Sequence, residues 1–179
     1  MARIRLAVVV AALALLAGAA SSGGAGAAGA APTRFVDPER TYELMIESTW
    51  EPRHGVLKKG AELWIVDTDR SGFLANVNIL TLKVPATITL RQYLDASVKS
   101  GPKALEGLKS IRATIQQGTR SRLAVWGYTS RQNGRRLRHV GVSAVRNGRA
   151  IVATFTATPR DFELLRKDVT QSLLTLYPY

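Results

Sequence analysis

Two Asn-Gly pairs, Asn133-Gly134 and Asn147-Gly148, constrain this chain more than any other feature. Each lies between runs in which apolar and polar residues alternate. A two-residue type I′ turn needs φ > 0 at both central positions, and Asn-Gly accepts that conformation most readily. Taking both pairs as two-residue loops sets the register of strands over 121–131, 136–146 and 149–158. Val125 then faces Val142, which faces Ala153; Gly127 faces Val140, which faces Phe155; Leu123 faces Ala144, which faces Ile151. Directly opposed residues share a face of a sheet, so two independent turns agree on one apolar face. A slip of one residue would scatter it.

The opposite face is mixed. Trp126 lies across from Gly141 and Thr154, and Tyr128 across from His139 and Thr156. Such a face is expected to be covered at least in part. Trp126, Tyr128, His139 and Thr156 are therefore candidates for the lining of a ligand pocket; a satisfied polar row beneath a helix leaves the same pattern. Asn76 and Asn78, on one face of an otherwise apolar strand over 73–84, pose the same choice.

Further strands are expected over 41–49 and 61–68. Thr89 and Gln92 form a capping box for a helix that buries Leu90, Leu94 and Val98 and stops at Gly101-Pro102. A short helix over 102–110 and an ambiguous strand over 111–117 follow. At the C-terminus Thr158 is an N-cap, Pro159 sits at N1, Asp161 completes the box, and Phe162, Leu165, Val169, Leu173 and Leu176 make an apolar stripe.

The first twenty residues place Arg3 and Arg5 before an uncharged run of Leu, Ala and Val. That is the pattern of a secretory signal peptide over 1–20, followed by a Gly/Ala-rich linker over 21–34 and a single domain over 35–179. The apolar run is shorter than the roughly 18–20 residues that favour a spanning helix. The expectation is a secreted or extracytoplasmic protein with no spanning segment once the leader is cleaved, and an anchored one if it is retained. Gly24, Gly26 and Gly29 match the dinucleotide fingerprint, but in a linker with no strand before it. With no cysteine, the chain has no disulfide, thiol nucleophile, Cys-ligated metal or lipidated N-terminal Cys.

The formal net charge is +12, and it is regional: from Gly107 to Arg160 there are ten arginines and Lys109 but no Asp or Glu. The register gathers Arg131, Arg135, Arg136, Arg138 and Arg160 at one end of the meander, and Arg120, Arg122, Arg146 and Arg149 at the other. Strands of this length separate the two ends by roughly 30 Å. The first group is a candidate surface for a protein partner or an acidic envelope component, although solvated strand ends look much the same. Nucleic acid is a poor candidate, because the arginines follow no groove and the chain carries an export signal. His54 and His139 belong to no catalytic motif, and Asp67 with Asp69 reads as a turn rather than a calcium loop. No catalytic residue, metal ligand or cofactor is assigned. The reading is a non-enzymatic binding or accessory protein, with a small-ligand or lipid carrier as the alternative.

The order of parts carries a resemblance. "YELMIESTWEP", "ANVNIL", the helix "TLRQYLDAS", a long antiparallel meander and "GRAIVATFTATPRDF" before an amphipathic helix resemble the PsbP-like/Mog-like α/β/α sandwich proteins, in particular actinobacterial LpqN-type envelope proteins. The resemblance covers about 35–179. It implies an α+β fold whose central antiparallel sheet carries helices on both faces. It also implies a binding or accessory role with no shared catalytic residues to carry over. LpqN-type proteins are usually lipoproteins, and this chain has no Cys to lipidate. Its Ala/Arg/Gly-rich composition fits a GC-rich actinobacterial source.

Overall fold

The computed structural model describes residues 31–53, 61–68 and 73–179. The expected leader over 1–20, Gly24, Gly26, Gly29, His54 and Asp69 lie outside the described residues. Ten strands and two helices are described: β1 (Thr33–Val36), β2 (Tyr42–Ile46), β3 (Glu51–Pro52), β4 (Ala61–Thr68), β5 (Leu74–Lys83), α1 (Leu90–Ala104), β6 (Lys109–Gln117), β7 (Arg122–Gln132), β8 (Arg135–Arg146), β9 (Arg149–Ala157), α2 (Pro159–Leu173) and β10 (Tyr177–Pro178). An antiparallel sheet has the order β3-β4-β5-β9-β8-β7-β6, and a smaller one the order β1-β2-β10.

Both Asn-Gly pairs are left-handed two-residue turns, with φ of 50° at Asn133 and Asn147, 74° at Gly134 and 72° at Gly148. Val125 pairs with Val142 and that with Ala153; Tyr128 pairs with His139 and that with Thr156, in the expected register. The apolar face of the meander, with Val140, Val142 and Phe155, meets Phe162, Val169 and Leu173 of α2 together with Tyr42, Leu44 and Ile46 of the small sheet. The other face, with Ala124, Trp126 and Tyr128, is covered by Leu94 of α1 and by Leu105. The molecule is thus an α/β/α sandwich, as the resemblance implies, and its mixed second face is covered.

Two helix ends differ from expectation. The capping box forms: Thr89 Oγ1 accepts from the Gln92 amide at 3.2 Å, and Gln92 Oε1 accepts from the Thr89 amide at 2.9 Å. The helix, however, runs through Gly101-Pro102 to Ala104. Proline in a last turn removes one backbone donor, and Gly101 has no Cβ to hold the helix off Trp126. Burial of that contact outweighs one missing hydrogen bond. At the other terminus α2 ends at Leu173, so Leu176 lies beyond the helical stripe. Thr175 Oγ1 donates to the Ser172 carbonyl at 2.6 Å and accepts from the Met45 amide at 2.7 Å, which turns the chain into β10. Leu176 is still fully buried, delivered by a turn rather than a helix face.

Candidate functional site

The structure brings Trp126, Tyr128, His139 and Thr156 together on one face of the sheet, with α1 packed over the Trp126–Tyr128 part of it. The rings of Trp126 and Tyr128 are 4.4 Å apart, and those of Tyr128 and His139 stack at 4.5 Å and 12°. The polar atoms are occupied from within the layer. His139 Nε2 shares a hydrogen bond of 2.8 Å with Ser130 Oγ, and Nδ1 one of 3.0 Å with Thr156 Oγ1. Trp126 Nε1 donates to Ser110 Oγ at 2.9 Å, and the Tyr128 phenol bonds to Thr154. His139 is 3% exposed, and all four side chains are buried. Desolvation lowers the His139 pKa to about 4, so the ring is neutral at pH 7. Burial likewise raises the Tyr128 phenol above its usual range. Asn76 pairs with Thr156 and Asn78 with Thr154, so the two asparagines extend the same rows onto β5. Sequence alone left them unconnected, because the β5–β9 pairing spans residues far apart in the chain.

The expected arginine surface is divided between the two faces of the sheet. Arg131 stands directly opposite Arg136, and Arg138 opposite Thr129, on the face shared with Val140 and Val142. Arg135 pairs with Gln132 on the α1 face and lies over the Phe73 ring at 5.9 Å. Arg138 is committed inside the molecule: its guanidinium lies over the Phe162 ring at 4.5 Å and ion-pairs with Glu163 of α2. Arg160 is exposed at the start of α2. Arg131, Arg136 and Arg160 form no ion pair among the described residues.

A polar cluster that the sequence reading did not single out lies at the far end of the sheet. Glu43, whose side chain is 5% exposed, takes ion pairs from Arg34 and Arg120 and a hydrogen bond from the Tyr179 phenol. Arg34 Nη2 also donates to Tyr179 Oη at 3.0 Å. A charged residue in the middle of the apolar run "YELMI" was the available signal, since buried carboxylates are rare unless paired.

No family model matches this chain, and no curated protein does. Solved structures do. Cyanobacterial PsbP (CyanoP) from Synechocystis is 13% identical with a TM-score of 0.60, over 88% of this chain and 98% of that one. A Mog1 variant is 5% identical with a TM-score of 0.55, over 83% and 96%. LpqN of Mycobacterium tuberculosis, described as involved in cell envelope biogenesis, is 13% identical with a TM-score of 0.51, over 83% and 91%. Among the described residues no helix is long and apolar enough to cross a membrane. With helices on both faces of an antiparallel sheet and these likenesses along most of its length, the chain has the PsbP/Mog-like fold, with an LpqN-type protein among its structural neighbours.

Proposed function

We propose that this is an exported, envelope-associated accessory protein of an actinobacterium, non-enzymatic, that docks an acidic protein or envelope component at the Arg131–Arg136 end of its sheet. The observation that carries the reading is the directly opposed, exposed pair Arg131–Arg136. Like charges facing each other across two strands destabilise the pair, and the fold supplies no acid to either among the described residues. An acidic surface arriving from outside would relieve that repulsion, and Arg160 adds a third cation at the same end. The LpqN neighbour's role in cell envelope biogenesis and the leader-like N-terminus support the compartment.

The test is native mass spectrometry of the protein purified gently from the culture fluid and envelope of its host, beside a variant with Arg131→Glu and Arg136→Glu. The expected result is a second polypeptide or envelope component that travels with the original protein and is lost from the variant, with circular dichroism unchanged. Association that survives the double reversal returns these arginines to solvent.

A further inference from the structure

Three arginines of the second group, Arg120, Arg122 and Arg146, roughly 30 Å away along the strands, border a concavity of about 590 Å³. Its volume is within the range of about 300–1,000 Å³ usual for small-molecule sites. Four arginines line it: Arg91 from the first turn of α1, Arg120 and Arg122 around the β6–β7 turn, and Arg146 from the end of β8. Among the described residues no acidic side chain belongs to the lining. Leu90, Ile115 and Val145 supply an apolar wall.

Two of the guanidinium groups are held in place. Arg146 Nη1 donates to the Tyr177 phenol oxygen and to the Pro178 carbonyl, each at 3.1 Å. Arg120 lies over the Tyr177 ring at 4.0 Å and is tethered by the buried Glu43 carboxylate. Arg91 meets Asp95 across 3.8 Å on the exposed side of α1. Arg122 has no ion pair or side-chain hydrogen bond among the described residues. Glu43 neutralises part of the charge but is shared between Arg34 and Arg120, so the concavity keeps a net positive field. That field, and the Arg146 hydrogen bond first of all, lowers the Tyr177 phenol pKa.

We infer that this concavity binds a phosphate monoester bearing an apolar arm. Guanidinium forks match the geometry of a phosphate, which offers three terminal oxygens and close to two negative charges to several arginines at once. A carboxylate offers two oxygens and one charge. The wall of Leu90, Ile115 and Val145 would take the apolar arm. A lipid headgroup and a free phosphate ester share this chemistry.

Isothermal titration of the full chain with hexyl phosphate, inorganic phosphate and hexanoate tests the assignment. Saturable one-to-one binding of hexyl phosphate is expected, tighter than either of the other two. Arg122→Ala should weaken it about tenfold or more, the size of one lost charge-assisted hydrogen bond. Arg136→Ala, at the opposite end, should leave it unchanged. Arg122 has no ion pair or side-chain hydrogen bond among the described residues, so its loss should not unfold the protein; Arg146→Ala, with its fold checked by circular dichroism, is the second variant. Co-sedimentation with phosphatidylglycerol-containing vesicles, lost in Arg122→Ala and absent with phosphatidylcholine alone, would assign the phosphate to a lipid; hexyl phosphate binding without co-sedimentation would assign it to a free ester. No saturable binding, equal weakening by Arg136→Ala, or hexanoate binding as tightly as hexyl phosphate overturns the inference.

Discussion

Gly101 lies so close to Trp126 that a Cβ built on it would stand 2.4 Å from the indole Cη2. This contact joins α1 to β7 and seats the helix on the aromatic layer. An alanine would favour the helix intrinsically by up to about 1 kcal/mol, yet the overlap falls on a buried, rigid ring. Overpacking of this kind costs about 1–3 kcal/mol. Gly101→Ala should therefore lower stability in urea unfolding, and Trp126→Phe in the same chain should recover part of that loss by making room. A stabilised single variant would show that the helix is free to move off the sheet.

His139 makes stability depend on pH. Its folded pKa of about 4 lies below the ordinary 6.5, so between those values the unfolded chain takes up the proton that the folded one refuses. Stability attributable to this group is intact above about pH 6.5 and is lost as pH falls toward 4, by about 3 kcal/mol in all. The measurement is the difference in unfolding free energy between the original protein and His139→Gln at pH 7.5, 5.5 and 4. Acid should cost the original protein more than the variant; parallel profiles would place the ring in contact with water.

The Glu43 cluster predicts an asymmetry between single and double variants. Arg34 and Arg120 are each at least half exposed, whereas the Glu43 carboxylate is buried. Removing one arginine leaves the carboxylate the other one; removing both leaves it the Tyr179 phenol but no counter-charge, a loss of about 3–5 kcal/mol. Arg34→Ala combined with Arg120→Ala should cost clearly more than the two single changes added together, in a double-mutant cycle read by chemical denaturation. Simple additivity would mean that water already reaches Glu43.

Gly134 isolates backbone strain. Its φ is 74°, and a Cβ there would meet nothing within 4 Å. Gly134→Ala should cost about 1–2 kcal/mol from the left-handed conformation alone, visible as a lower thermal midpoint with an unchanged native spectrum. A neutral result would require the turn to change type.

The sequence by itself determined the register of the meander, its two faces and the starts of both helices. Each depends on a short-range rule: an Asn-Gly pair accepts φ > 0, and Thr89 or Thr158 meets the backbone amide three residues later. It also separated the arginines into two ends, because strand length and turn position are enough for that. Tertiary structure alone decided what those residues do. Only folding brings Arg34, Arg120 and Tyr179, distant in the chain, onto one carboxylate. Only folding commits Arg138 to Phe162 and Glu163 while leaving Arg131 facing Arg136. The run of α1 past Gly101-Pro102 belongs to the same class: proline reads locally as a stop, and a contact with Trp126, some twenty-five residues on, overrides it. Local conformational preferences are written in neighbouring residues, whereas burial, pairing and the shape of a concavity depend on segments that meet only in the folded chain.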